Sequence, residues 1–257
     1  MKLFRVIVSI AVMLGAWACH AQPPSGPGGK AVVRAASTPV PQLRDGQPPG
    51  WFMKRHEKHL AIAKAGGVDV LFLGDSITEG WATAGHEVWT RDFVPLRSAN
   101  FGISGDRTEN VLWRLMNGEV GGAMCPKVVV LMIGTNNTGH RMDSPKDIAA
   151  GVGAILAQLK AKCPPARILL LGIFPRGAKA DAPDRVNNAN ANRLIARHAD
   201  GDRVKYLDVG KVFLSESGVL DRELMPDLLH LSPKAYALWA REILPQVRAA
   251  LARPLPR

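Results

Sequence analysis

The feature that most constrains the fold is a regular alternation of short apolar runs with longer segments of helical periodicity. The apolar runs cover residues 68–73, 97–101, 128–133, 168–174 and 204–209. Helix-like segments follow them, at residues 76–84, 109–117, 145–162, 185–198 and 233–252, and a further amphipathic helix is predicted over residues 51–65. Strands and helices in alternation form right-handed β-α-β units, which imply a parallel sheet with helices on both faces.

Glycine and polar residues follow four of the predicted strands directly. In a parallel sheet the carboxyl ends of the strands share one rim, where open α/β proteins bind their ligands. We therefore expect these segments to converge: Gly74-Asp75-Ser76, Gly102-Ile103-Ser104-Gly105-Asp106, Gly134-Thr135-Asn136-Asn137 and Pro175-Arg176-Gly177. Asp227 and His230 precede the last predicted helix, in a loop that returns to the same rim.

Three residues at this rim are of the types that a serine hydrolase needs. Asp227 and His230 lie three positions apart, so the carboxylate can hold one imidazole nitrogen while the other faces the Ser76 hydroxyl. Ser76 at a helix start lies at the positive end of the helix dipole. For the oxyanion we expect the backbone N–H groups of Ser76 and Gly105 and the side-chain amide of Asn136. A Ser-His-Asp hydrolase is the first hypothesis.

Each of these residues also has an ordinary structural interpretation. Asp75 or Ser76 can cap a helix, and Asp106 is best interpreted as the N-cap of the helix at 109–117. Asn136 can belong to a plain turn, and an Asp-His pair is common on helix surfaces. The occurrence of Ser, Gly, Asn and His on one rim favours the catalytic hypothesis.

Residues outside these segments carry weaker signals. Arg176 can orient an anionic or sugar headgroup or belong to a solvated turn, and we favour the turn. His56 and His59 on the first helix fit surface or packing roles better than ligand roles. Three tryptophans can wall an acyl pocket but fit the core better: Trp81, Trp89 and Trp113.

The first 21 residues have the layout of a secretory signal peptide, with two basic residues, an apolar stretch at 6–16 and small residues after it. Cleavage after Ala18 or after Ala21 fits equally well. Lipid anchoring at Cys19 is disfavoured, because alanine stands where a bulky aliphatic residue is usual. The stretch is too short to span a bilayer. We expect an exported protein, periplasmic or extracellular.

Residues 22–50 are rich in proline and glycine and predict a disordered tether, which leaves residues 51–257 as the hydrolase domain. Removal of residues 1–21 would lower the formal charge from +11 to +9. That charge favours anionic surfaces, but the basic residues are scattered singly, so a nucleic-acid partner is not expected.

Cys125 and Cys163 are the cysteines that export would leave, and each lies just before an apolar run. If those runs are neighbouring parallel strands, both thiols lie at one end of the sheet, where a disulfide is geometrically allowed. Two free thiols are an equal alternative. Neither alternative indicates a metal site, because the spacing of cysteine ligands is missing.

Together, the segments around Ser76, Gly105, Asn136 and His230 resemble the four sequence blocks of the SGNH (GDSL) hydrolases. Within that family, residues 100–106 and 111–119 resemble the catalytic subunits of intracellular platelet-activating factor acetylhydrolase. This resemblance spans residues 51–251. It implies a three-layer α/β/α, flavodoxin-like fold with a five-stranded parallel sheet of order 2-1-3-4-5. No metal or organic cofactor is implied.

Carried over by position, the resemblance makes Ser76 the nucleophile, Asp227 and His230 the rest of the triad, and Gly105 and Asn136 oxyanion donors. It also suggests short acyl groups, above all acetyl, and a homodimer as one oligomeric state. Ile77 and Ser104 depart from the usual Leu and Gly, and the export signal differs from those cytosolic enzymes.

The sequence therefore predicts an exported serine esterase acting on a small-molecule, lipid or glycan ester. Lysophospholipid-type and carbohydrate O-acetyl specificities stay open. Two rivals from other classes are a non-catalytic domain that binds envelope glycans and a metal-dependent phosphoesterase. The latter would use Asp75, Asp106, Asp227 and His230.

Overall fold

The computed structural model describes residues 35–254, and the predicted signal peptide and the first part of the predicted tether lie outside this range. Five strands form one parallel sheet in the order β2-β1-β3-β4-β5. The strands are β1 (Val70–Gly74), β2 (Ser98–Gly102), β3 (Val128–Met132), β4 (Arg167–Leu171) and β5 (Val204–Leu207). The predicted fold class and strand order are confirmed.

The described residues contain eight α-helices, which precede, connect or follow the strands. They are α1 (Gly50–Ala65), α2 (Ser76–Glu79), α3 (His86–Asp92), α4 (Thr108–Arg114), α5 (Thr135–Arg141), α6 (Pro145–Lys162), α7 (Pro183–Ile195) and α8 (Pro233–Ala252). The two longest begin where predicted, because Ser144 and Ser232 cap them and each is followed by a proline at the first helical position.

Shorter elements differ from the prediction. The segment predicted as one helix over 76–84 ends its α-helical part at Glu79 and continues as a 3₁₀ turn, Gly80–Ala82. Helices α3 and α5 were not predicted. Each has seven residues, too few to show a clear apolar periodicity, and the ordinary alternative considered for Asn136 was a turn rather than a helix.

The helices form two layers, one on each face of the sheet, and successive side chains of β1 pack alternately against one layer and the other. Leu71 and Leu73 belong to an apolar cluster shared with α1, α4, α6 and α7. Val70 and Phe72 belong to a second cluster, shared with α2, α3 and α8. Alternation along a strand sends neighbouring side chains to opposite faces, so the sheet is buried on both sides.

Residues 35–47, which we call the strap, lie against the domain, although the sequence placed them in a disordered tether. The Thr108 hydroxyl donates to the Ala36 carbonyl at 2.7 Å. The Val40 N–H donates to the Glu109 carbonyl at 3.3 Å, and the Asn110 amide donates to the Val40 carbonyl at 3.0 Å. Polar groups in the first turn of α4 thus satisfy the strap backbone, a pairing that local composition does not show.

Cys125 and Cys163 are free thiols in the structure. Cys163 is buried and its thiol donates to the Met124 carbonyl at 3.4 Å. Burial, reinforced by the neighbouring Cys125, raises the pKa of the Cys163 thiol. Within residues 35–254, no helix combines the length and the apolar character that crossing a membrane requires.

Candidate active site

The end of β1 carries Ser76 into the first position of α2. At Gly74 a Cβ atom would overlap the Met132 carbonyl and the Thr78 side chain, so the close packing of this strand end requires glycine. Asp75 caps α2, its Oδ1 accepting from the Ile77 N–H at 3.0 Å. The strand end and the cap together fix the direction of the Ser76 side chain.

Ser76, His230 and Asp227 form one hydrogen-bonded row, although 154 positions separate the serine from the histidine. Ser76 Oγ lies 2.9 Å from His230 Nε2. His230 Nδ1 lies 2.7 Å from Asp227 Oδ2. The prediction that these three side chains converge agrees with this geometry.

A tight loop before α8 holds the acid and the base. Asp227 Oδ1 accepts from the N–H groups of Leu229 at 3.0 Å and His230 at 2.7 Å. Leu228, which follows Asp227 directly, has a left-handed backbone, with φ of 61°. Burial alone would raise the pKa of Asp227, but the hydrogen bonds from His230 and Leu229 outweigh it and lower that pKa. The carboxylate is therefore ionised at neutral pH and can stabilise an imidazolium.

The loop after β2 brings Gly105 to the same rim. The Ile103 N–H donates to the Gly74 carbonyl at 3.2 Å, which ties this loop to the strand end before Ser76. Gly105 has φ of 80°, a conformation that favours glycine. The Asn136 amide donates one hydrogen bond to the Asp106 carbonyl at 2.9 Å, so the start of α5 is joined to the Gly105 loop.

Asp106 does not cap α4, and that prediction was wrong. The helix begins at Thr108, whose N–H donates to Asn137 Oδ1 at 2.9 Å. Asp106 instead turns inward, where its Oδ2 lies 2.8 Å from Arg114 Nη2. Burial raises the pKa of Asp106 to about 6, and Arg114 opposes that shift. A fully buried guanidinium attracts this carboxylate away from the helix terminus.

Asp75 is also buried, and no group among the described residues forms a hydrogen bond with its Oδ2. Burial raises its pKa to about 7, against the hydrogen bond from the Ile77 N–H. Asp75 and Asp106, two members of the metal site considered from the sequence, are thus a helix cap and an ion-pair partner. Among the side chains of residues 35–254, no group of three or more His, Cys, Asp or Glu is arranged to hold a metal ion.

Arg176 is engaged by the protein itself. Its Nη1 donates to the Thr135 carbonyl at 3.0 Å, and its Nε lies 3.2 Å from Asp184 Oδ2. The side chain therefore links α5 to α7. The prediction of a solvated turn did not include this link, because it joins residues 41 positions apart.

Of the surface or packing roles favoured for His56 and His59, the structure shows packing. Both histidines are buried, and their Nδ1 atoms lie 2.7 Å and 3.2 Å from Glu119 Oε1. The three tryptophans also pack: Trp81 is fully buried, Trp89 packs against Phe72, and Trp113 packs against Phe52 and His56.

Two side chains near the rim were missed by sequence reasoning. Arg114 is fully buried beneath the loop and donates to the Phe101 carbonyl at 3.1 Å. Gln42 of the strap donates to the Ser104 carbonyl at 2.8 Å. No local pattern marks either residue, because each acts on residues distant from it in sequence.

A family model described as the GDSL-like lipase/acylhydrolase family matches residues 72–238. The chain is 38% identical to platelet-activating factor acetylhydrolase IB subunit alpha1 of Homo sapiens over 202 residues, 78% of this chain and 84% of that protein. It is also 38% identical to the alpha2 subunit of Gallus gallus over 187 residues, which cover 72% of this chain and 79% of that one.

Two solved structures are similar in fold. A GDSL-like lipase from Bacteroides thetaiotaomicron has a TM-score of 0.63 at 17% identity, covering 76% of this chain and 98% of that one. Axe2, an acetylxylan esterase from Geobacillus stearothermophilus, has a TM-score of 0.57 at 20% identity, covering 71% of this chain and 94% of that one.

Proposed function

The chain belongs to the GDSL-like lipase/acylhydrolase family and is a carboxylic ester hydrolase, and on that premise we propose that it removes a short acyl group, preferably acetyl, from oxygen esters. The observation that carries the proposal is the row from Ser76 Oγ through His230 to Asp227. We propose a covalent acyl-enzyme on Ser76.

In the first step Ser76 Oγ attacks the ester carbonyl carbon while His230 Nε2 takes the hydroxyl proton. The negative oxygen of the tetrahedral intermediate is bound by the backbone N–H groups of Ser76 and Gly105 and by the Asn136 amide. Collapse of the intermediate expels the alcohol, which receives the proton from His230. Water then releases the acid by the same steps, with His230 again serving as the base.

The preference for acetyl is supported by the names of the relatives, which are acetylhydrolase subunits. A series of p-nitrophenyl esters from acetyl to decanoyl, run beside acetylated sugars and lysophospholipids, tests it. The highest kcat/KM should be found with acetyl. A preference for long chains would contradict the short-acyl proposal, and the sugar and lysophospholipid arms decide the alcohol part.

The nucleophile is tested with Ser76→Ala, beside Ser217→Ala as an exposed control. Hydrolysis of p-nitrophenyl acetate should fall by orders of magnitude in the first variant and stay unchanged in the second. A serine-directed phosphonate should add its mass to Ser76. Full activity in EDTA together with this labelling contradicts the phosphoesterase rival, and binding of acetylated glycans without hydrolysis would favour the glycan-binding rival.

We also propose that the protein is exported after cleavage of a signal peptide at Ala18 or Ala21, within a segment that lies outside the described residues. The full chain, expressed in a bacterial host, should be recovered from the periplasm or the medium with a new N-terminus at Cys19 or Gln22. Retention in the cytosol with Met1 intact would contradict export. Light scattering on the purified protein distinguishes a monomer from the homodimer that the family resemblance suggests.

A further inference from the structure

The side chain of Gln42 connects the strap to the loop that carries Gly105. Its Nε2 donates to the Ser104 carbonyl at 2.8 Å and to Asp106 Oδ1 at 2.6 Å. These acceptors stand on either side of Gly105. Because both groups can only accept a hydrogen bond, the amide atom that faces them must be the nitrogen Nε2 and not the oxygen Oε1.

The Ser104 carbonyl and the Gly105 N–H belong to one peptide unit. That unit is planar and trans, so its carbonyl and its N–H point in opposite directions. A donor that holds the carbonyl therefore also sets the direction of the N–H. This link matters because the Gly105 N–H is one of the proposed oxyanion donors.

A peptide that precedes glycine rotates easily, because glycine tolerates backbone angles that other residues avoid. Neighbouring contacts leave this rotation open. The Ser104 N–H donates to Glu79 Oε2 at 2.8 Å, and the Asp106 N–H donates to the Ile103 carbonyl at 3.2 Å, but these bonds involve the peptide units on either side. Among the described residues, the Gln42 amide is the hydrogen-bond donor to the Ser104 carbonyl itself.

We propose that Gln42 is a positioning residue of the active site. By holding the Ser104 carbonyl it keeps the Gly105 N–H directed at the oxyanion, and the strap thereby becomes a functional part of the catalytic domain. This inference rests on the ester hydrolysis proposed above.

The proposal predicts a defect in the chemical step. When Gln42→Ala frees the peptide, part of the population turns the Gly105 N–H away, and stabilisation of the tetrahedral intermediate is lost in that part. Ground-state binding of the ester depends little on this donor, so kcat should fall while KM stays nearly constant. Removal of an oxyanion donor costs about 10²–10³ in kcat, and we expect a smaller loss of about 10-fold to 10²-fold from misplacement.

The experiment measures kcat and KM separately, with p-nitrophenyl acetate, for the wild type, Gln42→Ala, Gln42→Glu and Gln47→Ala. Gln47 is a glutamine of the same strap whose side chain is exposed, so its variant should match the wild type. Gln42→Glu keeps the side-chain volume and tests the idea even if Gln42→Ala does not fold. The ionised carboxylate of this variant has no donor for the Ser104 carbonyl, whereas the protonated carboxyl has one. Its kcat relative to the wild type should therefore rise on acidification.

Thermal unfolding of the same variants separates positioning from stability. A kcat of both Gln42 variants within about two-fold of the wild type, or a lower melting temperature with kcat unchanged, would overturn the positioning role. Ser76→Ala keeps the two proposals distinguishable. If it abolishes hydrolysis while Gln42→Ala does not slow it, only the inference about Gln42 fails; if it remains fully active, the proposed function itself fails.

Discussion

Asp227 holds His230 at two points, with Oδ2 2.7 Å from the ring nitrogen Nδ1 and Oδ1 2.7 Å from the backbone nitrogen of the same residue. One carboxylate thus fixes both the position of the histidine in the loop and the nitrogen that carries its proton. With Nδ1 bound in this way, Nε2 is left to face Ser76 Oγ.

Asp227→Asn should separate these two tasks. The asparagine oxygen can still accept from the backbone N–H of His230, but its NH₂ group then faces Nδ1 and favours the wrong tautomer. We expect kcat to fall by about 10³–10⁴, with the fold intact by circular dichroism. Asp221→Asn is the matched control, because Asp221 also accepts a backbone N–H in the preceding loop and is exposed. Comparable activity in the two variants would contradict a catalytic Asp227.

Asn136→Ala tests the side-chain oxyanion donor. The amide has two N–H groups, one of which is hydrogen-bonded to the Asp106 carbonyl. Loss of the other from the intermediate should lower kcat by about 10²–10³ with little change in KM. Asn117→Ala, at an exposed asparagine that also donates to a carbonyl, should retain normal kinetics. A change confined to KM would instead indicate a role in substrate binding.

Much of this architecture could be predicted because its signals are local. Ser144 followed by Pro145, and Ser232 followed by Pro233, define the starts of α6 and α8 within a few residues. The apolar runs predict buried parallel strands, and the order of their ends along the chain predicts one shared rim. The convergence of Ser76 with His230 follows from that topology.

The parts that could not be predicted depend on contacts between distant residues. Asp106 has the sequence position of an N-cap, but it pairs with Arg114, whose burial is not visible in the sequence. The proline-rich composition around Gln42 suggests disorder, although α4 and the Gly105 loop supply partners for that backbone. Local patterns report what a segment prefers by itself, and here tertiary hydrogen bonds determine the outcome.

Asp75 should make the stability of the protein depend on pH. Its pKa rises from 3.8 in the unfolded chain to about 7 in the folded protein because the carboxyl is buried. Between these values the folded state keeps a proton that the unfolded state has released, so the free energy of unfolding decreases as pH increases. The contribution is complete below about pH 4 and is lost as pH rises through about 7. Asp106, whose pKa rises to about 6, acts in the same direction.

Asp75→Asn removes one of these two groups while leaving an oxygen to accept from the Ile77 N–H. The melting temperature of Asp75→Asn, relative to that of the wild type at the same pH, should therefore increase as pH rises from about 4 to about 8. Asp45→Asn, at an exposed carboxyl of the strap, should follow the wild type at every pH. Differential scanning calorimetry across this range measures both, and parallel curves for Asp75→Asn and the wild type would contradict the buried-proton account.

Arg114 forms a buried ion-pair cluster with Asp106 and Glu119, and Arg114→Met should show that this cluster is needed for stability. The guanidinium is fully buried, with Nη1 2.5 Å from Glu119 Oε2 and Nη2 2.8 Å from Asp106 Oδ2. Burial alone would raise the pKa of Glu119, but Arg114 and the two histidines outweigh it and lower that pKa to about 2. Removing the arginine leaves two buried carboxylates without their cation, which typically costs about 3–5 kcal/mol.

Urea denaturation of Arg114→Met measures this loss, with Arg91→Met as the control. Arg91 also forms an ion pair, with Asp92, but 67% of its side chain is exposed, and such surface pairs contribute only about 0–1 kcal/mol. The double variant Arg114→Met with Glu119→Gln should recover part of the lost stability, because one of the two buried carboxylates left without a cation is then replaced by a neutral amide. If Arg114→Met cost no more than Arg91→Met, the cluster beneath the Gly105 loop would not stabilise the folded protein.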